Sequence, residues 1–166
     1  MKRLLSFILL IAMIFAITSC DKFSKNENSE EKFPNNIQGI ELLPSTSNFK
    51  DITNNFTFPE AITEAYSSDS GFLFRSVGKG RNSDIVIMVG VDTEGKIIGT
   101  KIIFEEELKN FSEKVYAEVE GTSGGYTGQT LDTFSLITIS GSTLTSVGYG
   151  NAVKAALEAY VIASGK

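Results

Sequence analysis

The sequence predicts an α+β domain, a small, mainly antiparallel sheet with flanking helices, on three observations. Residues 71–104 hold three strand-like runs divided by two short turns, the pattern of a meander. The middle run, residues 84–91 (DIVIMVGV), is almost continuously apolar and rich in β-branched residues, as suits a strand covered on both faces. Residues 147–163 then repeat Val153, Leu157 and Tyr160 at helical spacing, with Asn151, Lys154 and Glu158 on the opposite side. Strands and helices in this mixture define the class.

The elements follow in chain order. Lys2 and Arg3 precede an apolar run, residues 4–17, that is short for a membrane span of about 20 residues. It ends in Ile17-Thr18-Ser19-Cys20, and small residues before a cysteine resemble a bacterial lipobox. That resemblance implies a signal peptide over residues 1–19, cleavage before Cys20, and lipidation of Cys20 with palmitate-type acyl chains. An ordinary signal peptide or an uncleaved anchor is the alternative. Residues 21–36 (DKFSKNENSEEKFPNN) are polar and charged, the composition of a flexible tether. The tether is assigned to residues 20–54, its last part packing loosely through Ile37, Ile40, Leu42 and Leu43, and the compact domain to residues 55–166.

Within that domain, Phe58-Pro59-Glu60-Ala61 reads as a helix start, with proline at the first helical position and a short helix to Tyr66. Strands follow at residues 71–77, 84–91 and 96–104. Gly78-Lys79-Gly80-Arg81-Asn82 turns between the first two. Asp92-Thr93-Glu94-Gly95 turns between the second and third, with Gly95 suited to a left-handed conformation. Residues 110–119 read as a short helix and residues 121–128 (GTSGGYTG) as a glycine-rich loop. Residues 134–139 (FSLITI) read as a fourth strand, leading into the last helix at residues 147–163.

Composition narrows the chemistry. The chain has 166 residues, no histidine, no tryptophan and one cysteine, Cys20. Ser-His-Asp and Cys-His catalysis and every histidine metal site are excluded. No side chain stands out as catalytic, so redox chemistry would come from a bound cofactor. Removing Lys2 and Arg3 with the signal leaves 13 basic residues against 20 acidic ones, a net charge of about −7. Such a surface predicts no nucleic-acid binding and no electrostatic attachment to anionic lipid, which leaves attachment to the lipid anchor.

The site candidate is Ser140-Gly141-Ser142-Thr143-Leu144-Thr145-Ser146, where a strand-like run gives way to the last helix. Gly141 permits a sharp turn. The free amides and dipole of a helix start favour an anion such as phosphate. Thr143, Thr145 or Ser146 can instead serve simply as helix caps. Gly148 and Gly150 weaken a helix and permit close approach of a ligand or of another strand.

The turn, followed by Asn151-Ala152-Val153, resembles the flavinylation motif of the FMN-binding domain family, which includes the RnfG and NqrC subunits of membrane redox complexes. Residues 84–100 (DIVIMVGVDTEGKIIGT) are similar to the family's central hairpin, and the likeness covers roughly residues 71–160. In the family a flavin transferase attaches FMN through a phosphoester to the last threonine of the motif. By position that residue is Thr143, with Thr145 the near alternative. Ser140, Gly141, Ser142, Leu144, Thr145 and Ser146 would line the site, and Glu107 matches the glutamate of a loop near the flavin. Ile137 stands where the motif has aspartate, and Ser142 where it has alanine.

The resemblance implies a lipid-anchored flavoprotein on the extracytoplasmic face of the membrane, serving an unidentified redox partner as an electron carrier or redox subunit rather than a stand-alone enzyme. Two alternatives stay open: a non-covalent FMN or anion binder, and a surface interaction module of the same fold without flavin. For the Glu105–Glu107 run, a solvated strand end or a divalent-cation site are the other readings.

Overall fold

The computed structural model describes residues 37–43 and 48–166. The signal segment, Cys20 and the tether up to residue 36 lie outside the described residues. One five-stranded sheet is built from β1 (Lys50–Asp51), β2 (Ile62–Ser68), β3 (Gly71–Lys79), β4 (Asp84–Asp92) and β5 (Ile97–Phe104), in that spatial order. Every neighbouring pair is antiparallel. Helices α1 (Lys109–Val119) and α2 (Thr143–Ser164) follow. The expected α+β class is what the chain forms.

β4 explains the apolar run. It pairs with β3 from Lys79↔Asp84 to Gly71↔Asp92, and with β5 on its other side. Ile85, Ile87, Val89 and Val91 join Phe74 beneath α2, against Val153, Ala156 and Leu157. Met88 points to the other face, into a cluster of Ile37, Leu42, Leu43, Phe49, Tyr66 and Leu73. Residues 37–43 and 49–52 are therefore not loosely packed. Ile37, Leu42, Leu43 and Phe49 cover the second face of the sheet, Ile52 joins the cluster on the first, and Lys50–Asp51 add a strand, so ordered packing begins upstream of residue 55. Their apolar residues are too few to signal a core in sequence. The sheet supplies the rest of it.

Two other expectations are corrected. The segment after Pro59 makes one turn, closed by the Ile62 amide on the Pro59 carbonyl at 2.9 Å, and then becomes β2 rather than a helix. Pairing with β3 decides this, since it buries Ala65 on one face of the sheet and Tyr66 on the other. Residues 134–139 belong to no ladder. Their alternate amides find side-chain oxygens instead: Ser135 bonds Gln129 Oε1 at 2.8 Å, Ile137 the Tyr126 hydroxyl at 3.1 Å, and Ile139 Ser146 Oγ at 3.2 Å. The edge of β5 is already occupied, because Thr100 bridges Gly121 and Ile97 exchanges bonds with Gly128 and Gln129.

α2 lies on β3 at backbone contact. A Cβ on Gly148 would sit 2.3 Å from the Lys79 carbonyl oxygen, and one on Gly78 would sit 1.9 Å from that of Gly148. Nearby, Ser76 Oγ donates to the Ala152 carbonyl at 2.6 Å. The approach that Gly148 permits is thus to a strand, whereas Gly150 makes room for Tyr126 and Leu136. At the other end of α2, Tyr160 donates its hydroxyl to the Thr93 carbonyl at 2.9 Å, with Gly95 at φ +89° in the same turn as expected. The helix is therefore fixed at both ends of the meander.

Candidate functional site

The SGSTLTS turn is divided by burial into two sets of residues. Gly141 takes φ +80° and the Ser142 amide closes the turn on the Ile139 carbonyl at 2.9 Å. α2 begins at Thr143, four residues earlier than its apolar spacing predicts. Ser142, Thr145 and Ser146 are buried, while Ser140, Gly141, Thr143 and Leu144 are exposed. Thr143 and Thr145 are two positions apart on a helix, about 200° around its axis, so one faces out where the other faces in.

Two of the three buried hydroxyls are committed to the fold. Ser146 Oγ lies 3.0 Å from the Ser142 carbonyl and 3.1 Å from that of Thr143, and accepts the Ile139 amide. Thr145 Oγ1 donates to Glu107 Oε2 at 2.6 Å. None of the three expected caps acts as one. The residue preceding the helix is Ser142, and its side chain makes no capping bond. Among the described residues no acceptor meets the amides of Thr143, Leu144 and Thr145, and the first helical bond runs from Ser146 to Ser142 at 2.9 Å. The exposed Thr143 hydroxyl therefore stands beside three donors with the positive end of the helix dipole behind them.

Glu107 is brought to this helix start from 38 residues away. It is only 7% exposed. Its Oε1 accepts the amides of Asn82 at 2.6 Å and Ser83 at 2.9 Å, in the turn between β3 and β4. Burial pushes its carboxyl up, but the Thr145 hydroxyl and the amides of Asn82, Ser83 and Arg81 more than reverse this and hold it below the ordinary 4.5. The solvated-strand-end reading does not apply to Glu107. Among the described residues no three acidic or cysteine side chains converge, so a cation site there has no ligand set.

Several neighbours of the site carried no sequence signal. Tyr126 is buried, stacked on Phe134 at 5.7 Å and Tyr149 at 6.3 Å, and holds the Ile137 amide. Ile137 itself is half-buried, and its Cδ1 is 2.6 Å from where a Cβ on Gly125 would be. Leu108 and Leu144 are exposed apolar side chains next in sequence to the bonded pair Glu107 and Thr145. Arg81 lies over the Phe111 ring at 4.4 Å. The unpartnered amides of Thr143, Leu144 and Thr145 suit an anion such as phosphate.

Comparison with known proteins agrees. Residues 80–158 match the model of the FMN-binding domain, so the resemblance read from the hairpin and the turn is borne out. A stretch of 108 residues is 23% identical to a subunit of the ion-translocating oxidoreductase complex of Haemophilus influenzae strain Rd, and equally so to the same protein of strains PittEE and 86-028NP. The alignment takes in 64% of this chain and 50% of each relative, so the chain spans about half the length of the curated relatives it matches. No described helix is long and apolar enough to cross a membrane.

Proposed function

We propose that the chain is a membrane-anchored, extracytoplasmic flavoprotein that carries FMN covalently on Thr143 and works in electron transfer. The match to the FMN-binding domain supports the cofactor. The observation that carries the attachment point is the contrast within the turn. Thr143 is exposed beside unpartnered amides, whereas Thr145 is 0% exposed and its hydroxyl is given to Glu107. A modifying enzyme can reach the first without unfolding the helix start.

Bound flavin would supply one- and two-electron transfer. The protein's residues would do the rest. The Thr143 oxygen would hold the phosphoester, and the amides of Thr143, Leu144 and Thr145 would stabilise its remaining negative charge. Leu108 and Leu144 would offer the ring an apolar surface. Glu107 would place a negative charge near it and so favour the oxidised form. A covalent bond suits a carrier outside the cytoplasm, where a weakly held cofactor is lost by diffusion. A lipid on Cys20 would supply the membrane attachment, at about 0.8 kcal/mol per buried methylene. The relatives' name, which places them in an ion-translocating oxidoreductase complex, supports a membrane redox complex as the partner. A flavin transferase would install the FMN.

One observation favours a second reading. Ile137 occupies the place of the motif aspartate, and free helix amides alone suffice for a non-covalent FMN or anion binder. Intact mass of the chain co-expressed with its transferase separates the two. The expected result is a gain of FMN minus water that maps to Thr143 and disappears in Thr143→Val. An unshifted mass with flavin released on denaturation would support the second reading. An unshifted mass without any flavin would leave only the interaction module.

A further inference from the structure

Glu107 connects segments that share no ladder. It lies in the link between β5 and α1, yet Oε1 is held by the β3–β4 turn at Asn82 and Ser83, and Oε2 by Thr145 in the first turn of α2. The flanking backbone is held as well, with the Glu106 amide on Ser83 Oγ at 2.9 Å. The turn is shaped around the carboxylate. Its Gly80 amide closes on the Ser83 carbonyl at 2.9 Å, and a Cβ on Gly80 would lie 2.6 Å from Glu107 Oε1.

The consequence falls on Thr143. The first turn of α2 is held to itself, because the Ser146 amide bonds back onto residue 142 and its hydroxyl onto residues 142 and 143. Fixing Thr145 on its inner side therefore fixes the direction in which the Thr143 hydroxyl leaves the surface. We propose that Glu107 is a positioning residue for the modification of Thr143: its carboxylate clamps the start of α2 to the β3–β4 turn, so that one hydroxyl is presented outward while its neighbour is withheld. This rests on the reading that Thr143 carries FMN. The step is a phosphoryl-type transfer from an activated flavin nucleotide, a phosphoanhydride of FMN. The Thr143 O–H bond gives up its proton to a base of the transferase, its oxygen bonds to the FMN phosphorus, and the anhydride P–O bond breaks, its electron pair leaving with the second phosphate. Misplacing a reacting atom by about 1 Å slows such a transfer by up to about a hundredfold.

The test uses the full chain co-expressed with its flavin transferase, as wild type, E107Q, E107A, T145V and T145S. Modified fraction and initial rate are read by intact mass, folding by circular dichroism, and flavin midpoint potential on the modified material. E107Q keeps the shape, because its oxygen still accepts the turn amides and its amide nitrogen can donate to Thr145 Oγ1. It is expected to be modified within about twofold of wild type, with a more positive potential because a negative charge is gone. T145S, which keeps the hydroxyl, is expected to match wild type. E107A and T145V, which open the clamp, are expected to be modified about tenfold to a hundredfold more slowly while remaining helical. Should E107A fail to fold, the near-isosteric T145V decides. Wild-type rates in the folded clamp-opening variants would overturn the clamp and leave the FMN reading intact. A wild type never modified on Thr143 would overturn the reading beneath it.

Discussion

Replacing Gly148 with alanine sets two well-characterised effects against each other. In an exposed helix the change stabilises by about 1 kcal/mol, through lower backbone entropy in the unfolded chain. Here the new methyl would lie 2.3 Å from the Lys79 carbonyl oxygen, 2.6 Å from its carbon and 3.0 Å from the Gly80 nitrogen. All three are backbone atoms, so no rotamer change relieves the clash. β3 and α2 must separate by about 1 Å to restore ordinary contact. Overpacking of this kind costs about 1–3 kcal/mol or more. Separation also stretches the bond from Ser76 to the Ala152 carbonyl, now 2.6 Å and worth about 1 kcal/mol. The balance is a loss of about 1–3 kcal/mol, which equilibrium urea unfolding would read as a midpoint lower by about 0.5–2 M. Gly78→Ala meets the Gly148 oxygen at 1.9 Å without a helix-propensity gain and is expected to lose more. A Gly148→Ala variant as stable as wild type, or about 1 kcal/mol more so, would refute the tight approach of α2 to β3.

Acidification should weaken the fold through Glu107. Its carboxyl is held below 4.5 in the folded chain, so the unfolded chain binds that proton more readily. The stabilisation is complete above the ordinary value and is lost as pH falls through the lower folded one. Wild type should therefore lose stability below pH 4.5 more steeply than E107Q, and parallel pH profiles would contradict the assignment. At the alkaline end, burial above all pushes up Tyr66, to about 12, and likewise Tyr116, Tyr126 and Tyr149. Their contribution is present below pH 10 and is lost as pH rises through those folded values. Phenolate absorbance from these four should appear only well above pH 10 or together with unfolding, and their ionisation near pH 10 in a still-folded chain would argue against the packing.

Where the sequence carried enough local signal, it predicted the structure. The apolar run of β4 names a strand buried on both sides, and Asp92-Thr93-Glu94-Gly95 forms the hairpin turn, with Asp92 Oδ1 accepting the amides of Glu94 at 2.8 Å and Lys96 at 2.9 Å. The failures arise where tertiary partners outweigh local composition. Residues after Pro59 have helical composition, yet pairing with β3 outweighs propensity. FSLITI has strand composition, but the edge it would join is filled by the glycine-rich loop, and its amides turn to Gln129, Tyr126 and Ser146. At the site, Thr143 and Thr145 look alike in sequence. Helical spacing does put them on opposite faces, but which one faces in is set by the bond of Thr145 to Glu107 and the contact of Gly148 with Lys79, partners that lie far away in the chain. In the sequence Glu107 stood out only by its resemblance to a family position, because the amides that grip it belong to another turn.

The edges of the sheet have a further consequence, for solubility at high local density. One edge, β1, is two residues long, and the other, β5, is partly covered by residues 121–129. A long bare edge invites strand addition by a second molecule, the first step of aggregation. Here the described sheet gives such an intruder little to register against. Crowded copies would then collide repeatedly without zipping together.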